Sequence, residues 1–315
     1  MPTTVKNPLF LVGAERSGTT LLRLMLSYHP LISWSFEFEY SVDLMGNDGQ
    51  FPDLDSYYEF LEVNRIFKEA NLNIDKSLTY EQLLNSFLHQ WQERDNKPII
   101  GATVHRDFDK LLYIWPEARF VHIVRDPRDV AYSCIEMGWA SNTFYGIKAW
   151  IEAENLWERM KNQLPPEKYI EIQYENLLGS PIEVLSQICS FMGIDYDAAM
   201  LSYPAHTTYK YPNSKYAYKW KEKNNPKDIQ LIECQLKGLL EKRGYEHSGL
   251  PIIELSPAQI KQLKLQNRVG CLKFRLKRYG FNLTVKSYLA KKLGLTNLQK
   301  VAQIEINEID KLYVK

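Results

Sequence analysis

The chain has 315 residues, 45% of them apolar and 24% charged, with a formal net charge of +1. That size and balance exclude a largely disordered chain, and no apolar run approaches the ~20 residues of a membrane-spanning helix. Four cysteines (Cys134, Cys189, Cys234, Cys271) stand far apart with no Cys-x-x-Cys pair, which argues against a zinc site and a disulfide framework and points to a reducing, cytoplasmic setting.

In chain order, the apolar run Leu9-Phe10-Leu11-Val12 reads as a buried strand. A Gly-containing loop follows, and then Leu21, Leu22, Leu24, Met25 and Leu26 recur at helical spacing. Residues 40–96 are mostly helical in pattern and acidic, and are expected to form an insertion over the sheet edge near an acceptor site. Arg119-Phe120-Val121-His122-Ile123-Val124 is a second short strand. It turns at Arg125-Asp126-Pro127-Arg128-Asp129 into a helix, with Asp126 as the cap, Pro127 at the first helical position and Asp129 where a capping-box acid belongs. Ile147, Trp150, Ile151, Trp157 and Met160 mark one face of a long helix, and the strand Tyr169-Ile170-Glu171-Ile172 comes next. Ser180-Pro181-Ile182-Glu183 starts a further helix that Gly193 stops. Residues 203–220 form a Tyr- and Lys-rich loop suited to a lid. Strands alternating with helices predict an α/β fold with a mostly parallel sheet flanked by helices. A main domain is expected over residues 1–247 and a basic helical extension over 248–315. The extension holds 13 basic and 4 acidic residues, a charge of +9 against −8 for the remainder.

Two motifs carry chemistry. Gly13-Ala14-Glu15-Arg16-Ser17-Gly18-Thr19-Thr20 joins a buried strand to a helix, where free backbone N–H groups and the helix dipole gather an anion. Its glycines have P-loop spacing, but Thr19 stands where nucleoside triphosphatases place a lysine, and the loop cation is Arg16. The planar guanidinium fork of arginine suits a phosphate or sulfate oxygen pair. The second motif is Arg125 at a strand end with Ser133 eight residues later. Together they suggest a ligand phosphorylated at both ends, with a P-loop kinase or nucleoside triphosphatase as the competing reading. A salt-bridged, solvated helix start at 125–129 is the bland alternative for the second motif.

These residues resemble the sulfotransferase superfamily, in particular its bacterial members and the protein-tyrosine sulfotransferases. Arg16-Ser17-Gly18-Thr19-Thr20-Leu21 is similar to the family's 5′-phosphosulfate loop, and Val124-Arg125-Asp126-Pro127-Arg128-Asp129-Val130 with Ser133 to its 3′-phosphate motif. Tyr174-Glu175-Asn176-Leu177 resembles the segment whose tyrosine lies near adenosine, Lys219-Trp220 the pair that closes over the nucleotide, and Gly244-Tyr245 the pair that often ends the catalytic domain. The resemblance implies a P-loop-kinase-like fold. It also implies transfer of a sulfuryl group from 3′-phosphoadenosine-5′-phosphosulfate to an acceptor hydroxyl or amine, with no metal required. Arg16, Ser17, Gly18, Thr19, Thr20, Arg125, Ser133, Tyr174, Lys219 and Trp220 are the implied nucleotide residues, and Arg16 also neutralises charge during transfer.

Two residues are candidates for the base that deprotonates the acceptor. Glu37 follows Arg16 at the separation that the base has in protein-tyrosine sulfotransferases, with Glu39 as a nearby fallback. His105, in Thr103-Val104-His105, resembles the Thr-x-His arrangement of cytosolic sulfotransferases, although Ala102 stands where relatives carry a lysine. Glu37 is the preferred reading. The basic amphipathic tail suits a peripheral membrane contact or packing on its own domain or a second subunit, so a homo-oligomer stays open. The acidic body argues against nucleic acid as a partner. The acceptor class is not legible.

Overall fold

The computed structural model describes residues 5–223 and 225–313. Five strands form one fully parallel sheet: β1 (Leu9–Val12), β2 (Ile32–Glu37), β3 (Ile99–Val104), β4 (Arg119–Val124) and β5 (Tyr169–Gln173). Their order, β2-β3-β1-β4-β5, puts the first strand at the centre, in the P-loop-kinase-like arrangement expected. Every residue of β1 is buried, as it must be in a parallel sheet covered on both faces.

Alternation along the strands divides the core in two. Leu9 and Leu11 of β1 with Val121 and Ile123 of β4 face the helices Thr19–Ser27 and Pro181–Met192 through Leu22, Met25, Leu26, Leu185 and Ile188. Phe10 and Val12 with Phe120 and Val124 face Tyr80–Asp95, Pro127–Glu136 and Lys148–Lys161 through Phe87, Leu88, Val130, Trp150 and Trp157. Burying a side chain of this size contributes about 1.5–3 kcal/mol.

Strands β2 and β3 are additions to the sequence pattern. β2 reads Ser-Trp-Ser-Phe through its middle and slips register against β3 between Trp34 and Glu37, so neither a clean apolar run nor a clean alternation marks it. Residues 40–96 contain the helices Leu54–Val63, Arg65–Ala70 and Tyr80–Asp95. The last is the crossover that two neighbouring parallel strands require. It starts on a capping box between Thr79 and Gln82.

Helix starts differ in detail from their sequence signals. Asp126 caps Pro127–Glu136 by accepting from the Arg128 N–H, but the Asp129 carboxylate turns away to take the backbone N–H groups of Lys219 and Trp220. Ser180 makes no side-chain cap bond, whereas Gly193, at φ 77°, ends its helix in the left-handed region as expected.

The extension is helical. Pro257–Lys292 is broken at Gly280 (φ 77°, ψ 169°), and Thr296–Lys311 folds back on the second half around Leu283, Ala302 and Ile306. Its first half docks on the body through Asn267, whose Oδ1 accepts the Ser141 N–H at 2.7 Å. Its last helix docks through Lys300, 3.2 Å from Glu59 and 3.4 Å from Glu62. No helix among the described residues is long and apolar enough to cross a membrane.

A buried polar knot ties Lys148–Lys161 to β4. His122 stacks on Trp157 at 4.5 Å and meets Glu154 Oε1 at 3.2 Å, and the same carboxylate takes the Nε–H of Arg243. Glu154→Ala removes the shared acceptor of Arg243 and His122 but leaves Arg243 paired with Glu158 at 2.7 Å and Glu171 at 3.3 Å, a loss of about 1–3 kcal/mol. Urea unfolding measures it, and a change below about 1 kcal/mol would show the knot to be dispensable.

Candidate active site

All four functional segments leave the carboxyl ends of neighbouring strands, where open parallel sheets hold ligands. After β1, Gly13 (φ 145°) passes so close to β4 that a Cβ there would lie 2.2 Å from the Ile123 carbonyl oxygen. Gly18 (φ 94°) sits under the Tyr174 ring, which a Cβ would meet at 2.2 Å. Side chains are thus kept off the loop backbone, and helix Thr19–Ser27 opens with no side-chain cap on its first N–H groups. Those groups, with the positive end of the helix dipole, form an anion site. Ser17 is fully buried, and its Oγ has no hydrogen-bond partner among the described residues.

The second motif meets the first directly. Arg16 Nε donates to Ser133 Oγ at 2.9 Å, and an Arg125 terminal N–H donates to the Arg16 carbonyl at 3.1 Å. The two arginine motifs of the sequence thus border one cavity, in contact through the Arg16 backbone. Arg125 is held by Asp129 at 3.5 Å and by the Tyr174 ring, 4.8 Å from the guanidinium carbon, while its buried Nε has no partner among the described residues.

Beneath Arg125 lies a buried ion cluster. Arg128 grips Asp126 with two hydrogen bonds of 2.9 and 2.7 Å and Glu233 with a third of 2.8 Å, and the Trp220 ring covers it at 3.8 Å. Trp220 Nε1 donates to Asp126 at 3.0 Å, and Glu175 accepts the Asp126 N–H while taking the Tyr245 hydroxyl. The salt-bridged helix start therefore exists, but it is buried, with Asp126 at 0% and Arg128 at 2% exposure. Lys219 and Trp220 do not line the cavity. The lysine ammonium pairs with Glu222, and the tryptophan belongs to the cluster.

On the other side of the loop runs a second chain of contacts. Thr19 Oγ1 and His105 Nε2 are 3.0 Å apart, and His105 Nδ1 lies 2.5 Å from Glu39 Oε1, which also accepts the His105 backbone N–H. A carboxylate only accepts, so Nδ1 carries a proton and Nε2 of the neutral ring carries the lone pair, which accepts from the Thr19 hydroxyl. Burial by itself lowers the His105 pKa, but the adjacent Glu39 charge and hydrogen bond outweigh it and hold the imidazole above its ordinary value. Burial likewise pushes Glu39 up, and His105 overcomes this to hold it below the usual carboxylate range.

One cavity of about 730 Å³ gathers Arg16, Gly18, Thr19, Thr20, Glu37, Glu39, His105, Arg125 and Tyr174. Glu37 lies at the end of β2 with no hydrogen bond or ion pair among the described residues. Its charge favours the protonated form of Arg23, whose pKa burial lowers. Sequence reasoning missed Arg23 and Trp139, over whose ring the Arg16 guanidinium sits at 5.8 Å. Arg106, considered with Lys219 as a substitute for the lysine that Ala102 replaces, lines the cavity and is held by two 2.9 Å hydrogen bonds to Asp43, whereas Tyr313 at the far end of the extension was missed. The Asp43–Arg106 pair spans 63 positions and had no local signal. The loop 203–220 lines the same cavity through Thr208, Tyr209, Lys210, Tyr211, Pro212 and Tyr216.

Replacing Glu39 by Gln removes the largest charge that raises His105 and leaves only the more distant Glu37 and Glu15 to oppose burial. Proton NMR of the imidazole should then show its pKa lowered relative to the wild type, and an unchanged titration would mean that Glu39 does not control the ring.

The sulfotransferase family model matches residues 8–198, a span that covers the loop, both arginine motifs, His105 and Tyr174. An uncharacterised protein of Aquifex aeolicus (strain VF5) is 25% identical over 278 residues, 82% of this chain and 33% of that protein. Omega-hydroxy-beta-dihydromenaquinone-9 sulfotransferase Stf3 of Mycobacterium bovis (strain ATCC BAA-935 / AF2122/97) is 26% identical over 153 residues, 44% of this chain and 38% of that one. These matches thus span 33% and 38% of the relatives' own lengths. Among solved structures, the sulfotransferase domain from the curacin biosynthetic pathway superposes with a TM-score of 0.56 at 18% identity, over 79% of this chain and all of that domain, a likeness of fold. With more than half of its length matched by that model, the chain belongs to the sulfotransferase family.

Proposed function

We propose that the cavity binds 3′-phosphoadenosine-5′-phosphosulfate and passes its sulfuryl group to an acceptor hydroxyl or amine, with His105 as the general base. The observation that carries this reading is the pairing, across one loop, of a cationic group with an oriented imidazole. Arg16, Arg125 and Ser133 stand on one side, and Thr19, His105 and Glu39 on the other. The unpartnered Ser17 Oγ and Arg125 Nε and the uncapped helix start fit a polyanionic nucleotide. When bound, the nucleotide supplies a sulfuryl group whose bridging bond to the 5′-phosphate breaks as the acceptor bond forms.

The residues divide the work. Arg125 and Ser133 hold the 3′-phosphate, and Arg16, the loop amides and Thr20 neutralise charge on the sulfate end. His105 Nε2 takes the acceptor proton, and Glu39 keeps the Nδ1 proton in place and stabilises the imidazolium that results. Glu37, the base preferred from spacing, stands in the same cavity without an orienting partner among the described residues, and we assign it to the acceptor wall beside Arg23. We place the chain in the cytoplasm, since its four cysteines are unpaired.

A base works deprotonated, so a His105 pKa held above its ordinary value moves the rise of turnover to correspondingly higher pH. His105→Ala should cut transfer by about 10²–10⁴-fold and abolish that rise while adenosine 3′,5′-bisphosphate still binds. Glu37→Gln should keep the rise, displaced to lower pH because the Glu37 charge also helps to raise His105. Incubation with a metabolite or peptide pool, read by the 80-dalton mass increase of a transferred sulfuryl group, supplies the acceptor for this assay (about 80 daltons is the mass of SO₃). The opposite ranking of the two variants would make Glu37 the base.

A further inference from the structure

We propose that the C-terminal extension is a docking surface for an anionic membrane. Its helix Pro257–Lys292 has two apolar faces. The inner one, with Gly270 and Phe274, is pressed against Ser141 and Gly138 so closely that a Cβ added at Gly270 or Gly138 would lie 2.3 Å from its neighbour. The outer one consists of Leu265, Val269 and Leu272, spaced four and three residues apart and therefore in one stripe, at 63%, 44% and 50% exposure. Beyond the break at Gly280 the outward apolar character continues with Phe281 and Tyr288, both exposed. Most exposed large apolar side chains among the described residues lie after residue 247.

The charge around the stripe selects the occupant. Lys261, Lys264, Arg268, Lys273, Arg275 and Lys277 have no ion-pair partner among the described residues. Three of the four acids of the extension are spent elsewhere, Glu305 on Lys286, Glu308 on Lys311 and Asp310 on Arg278, and the fourth, Glu254, precedes the helix. A symmetric dimer through this stripe would set two surfaces of charge +9 against each other. A bilayer surface of acidic lipid accepts the apolar stripe between its headgroups and neutralises the flanking cations together. The docking is independent of the chemistry assigned to the cavity, and a binding assay tests it without turnover.

The test is flotation of the full chain with phosphatidylcholine vesicles, alone or with about 30 mol% phosphatidylserine, at low and high salt. Co-flotation only with the acidic vesicles, weakened at high salt, is expected. The triple variant Leu265→Ser, Val269→Ser, Leu272→Ser should lose about tenfold or more of the bound fraction at unchanged thermal midpoint, because these side chains stand in solvent. Sedimentation velocity without lipid gives the rival outcome. Failure to bind acidic vesicles, equal binding by the variant, or a dimer that the triple change dissociates would each overturn the proposal.

Discussion

The site hangs on the buried carboxylate of Asp126. Two ionised groups at 0% and 2% exposure are tolerated only if every lone pair and donor is satisfied. Here Asp126 takes two bonds from Arg128 and one from the Trp220 indole, while Arg128 adds Glu233. Satisfying that demand draws together segments around positions 126, 175, 220, 233 and 245. Arg125 is the next residue along the chain, so the cluster fixes where its backbone enters the cavity. Asp129 and Tyr174 then settle where its guanidinium points. Motif pieces that resemble nucleotide contacts thereby split into two kinds. Arg125 and Tyr174 border the cavity, whereas Trp220, Glu175 and Tyr245 hold the residues that do.

Strand order supplies the second constraint. With β1 between β3 and β4, the phosphate-type loop emerges flanked by His105 on one side and Arg125 on the other. Glu37 and Glu39 follow β2 beyond β3, which brings the Glu39 carboxylate onto the imidazole. Cationic and basic functions are thus separated by the width of a loop. That suits a reaction in which one side must hold negative charge and the other must remove a proton.

The central strand, the loop and the helices were legible because they are locally determined: a continuous apolar run, glycines where the backbone must be bare, and apolar residues at helical spacing. β2 and β3 escaped because serines, a glycine and a register slip break their pattern. The roles of Glu39 and Trp220 were out of reach for a different reason. Spacing along the chain preferred Glu37 and kept Glu39 as the fallback, and only the 66-residue closure onto His105 shows which of the two meets the imidazole. Lys219 and Trp220 stand next to Asp129 by long-range contacts that no local pattern encodes. The direct bond from Arg16 to Ser133 is of the same kind.

Recognition of a nucleotide phosphorylated at both ends by this single cationic group is measured most directly by calorimetric titration. Adenosine 3′,5′-bisphosphate should bind roughly 10–100-fold more tightly than adenosine 5′-monophosphate, as expected for a charge-assisted contact to the second phosphate, and Arg125→Ala should erase the difference. Equal affinity for the two nucleotides, or a preference for ATP over the bisphosphate, would contradict it.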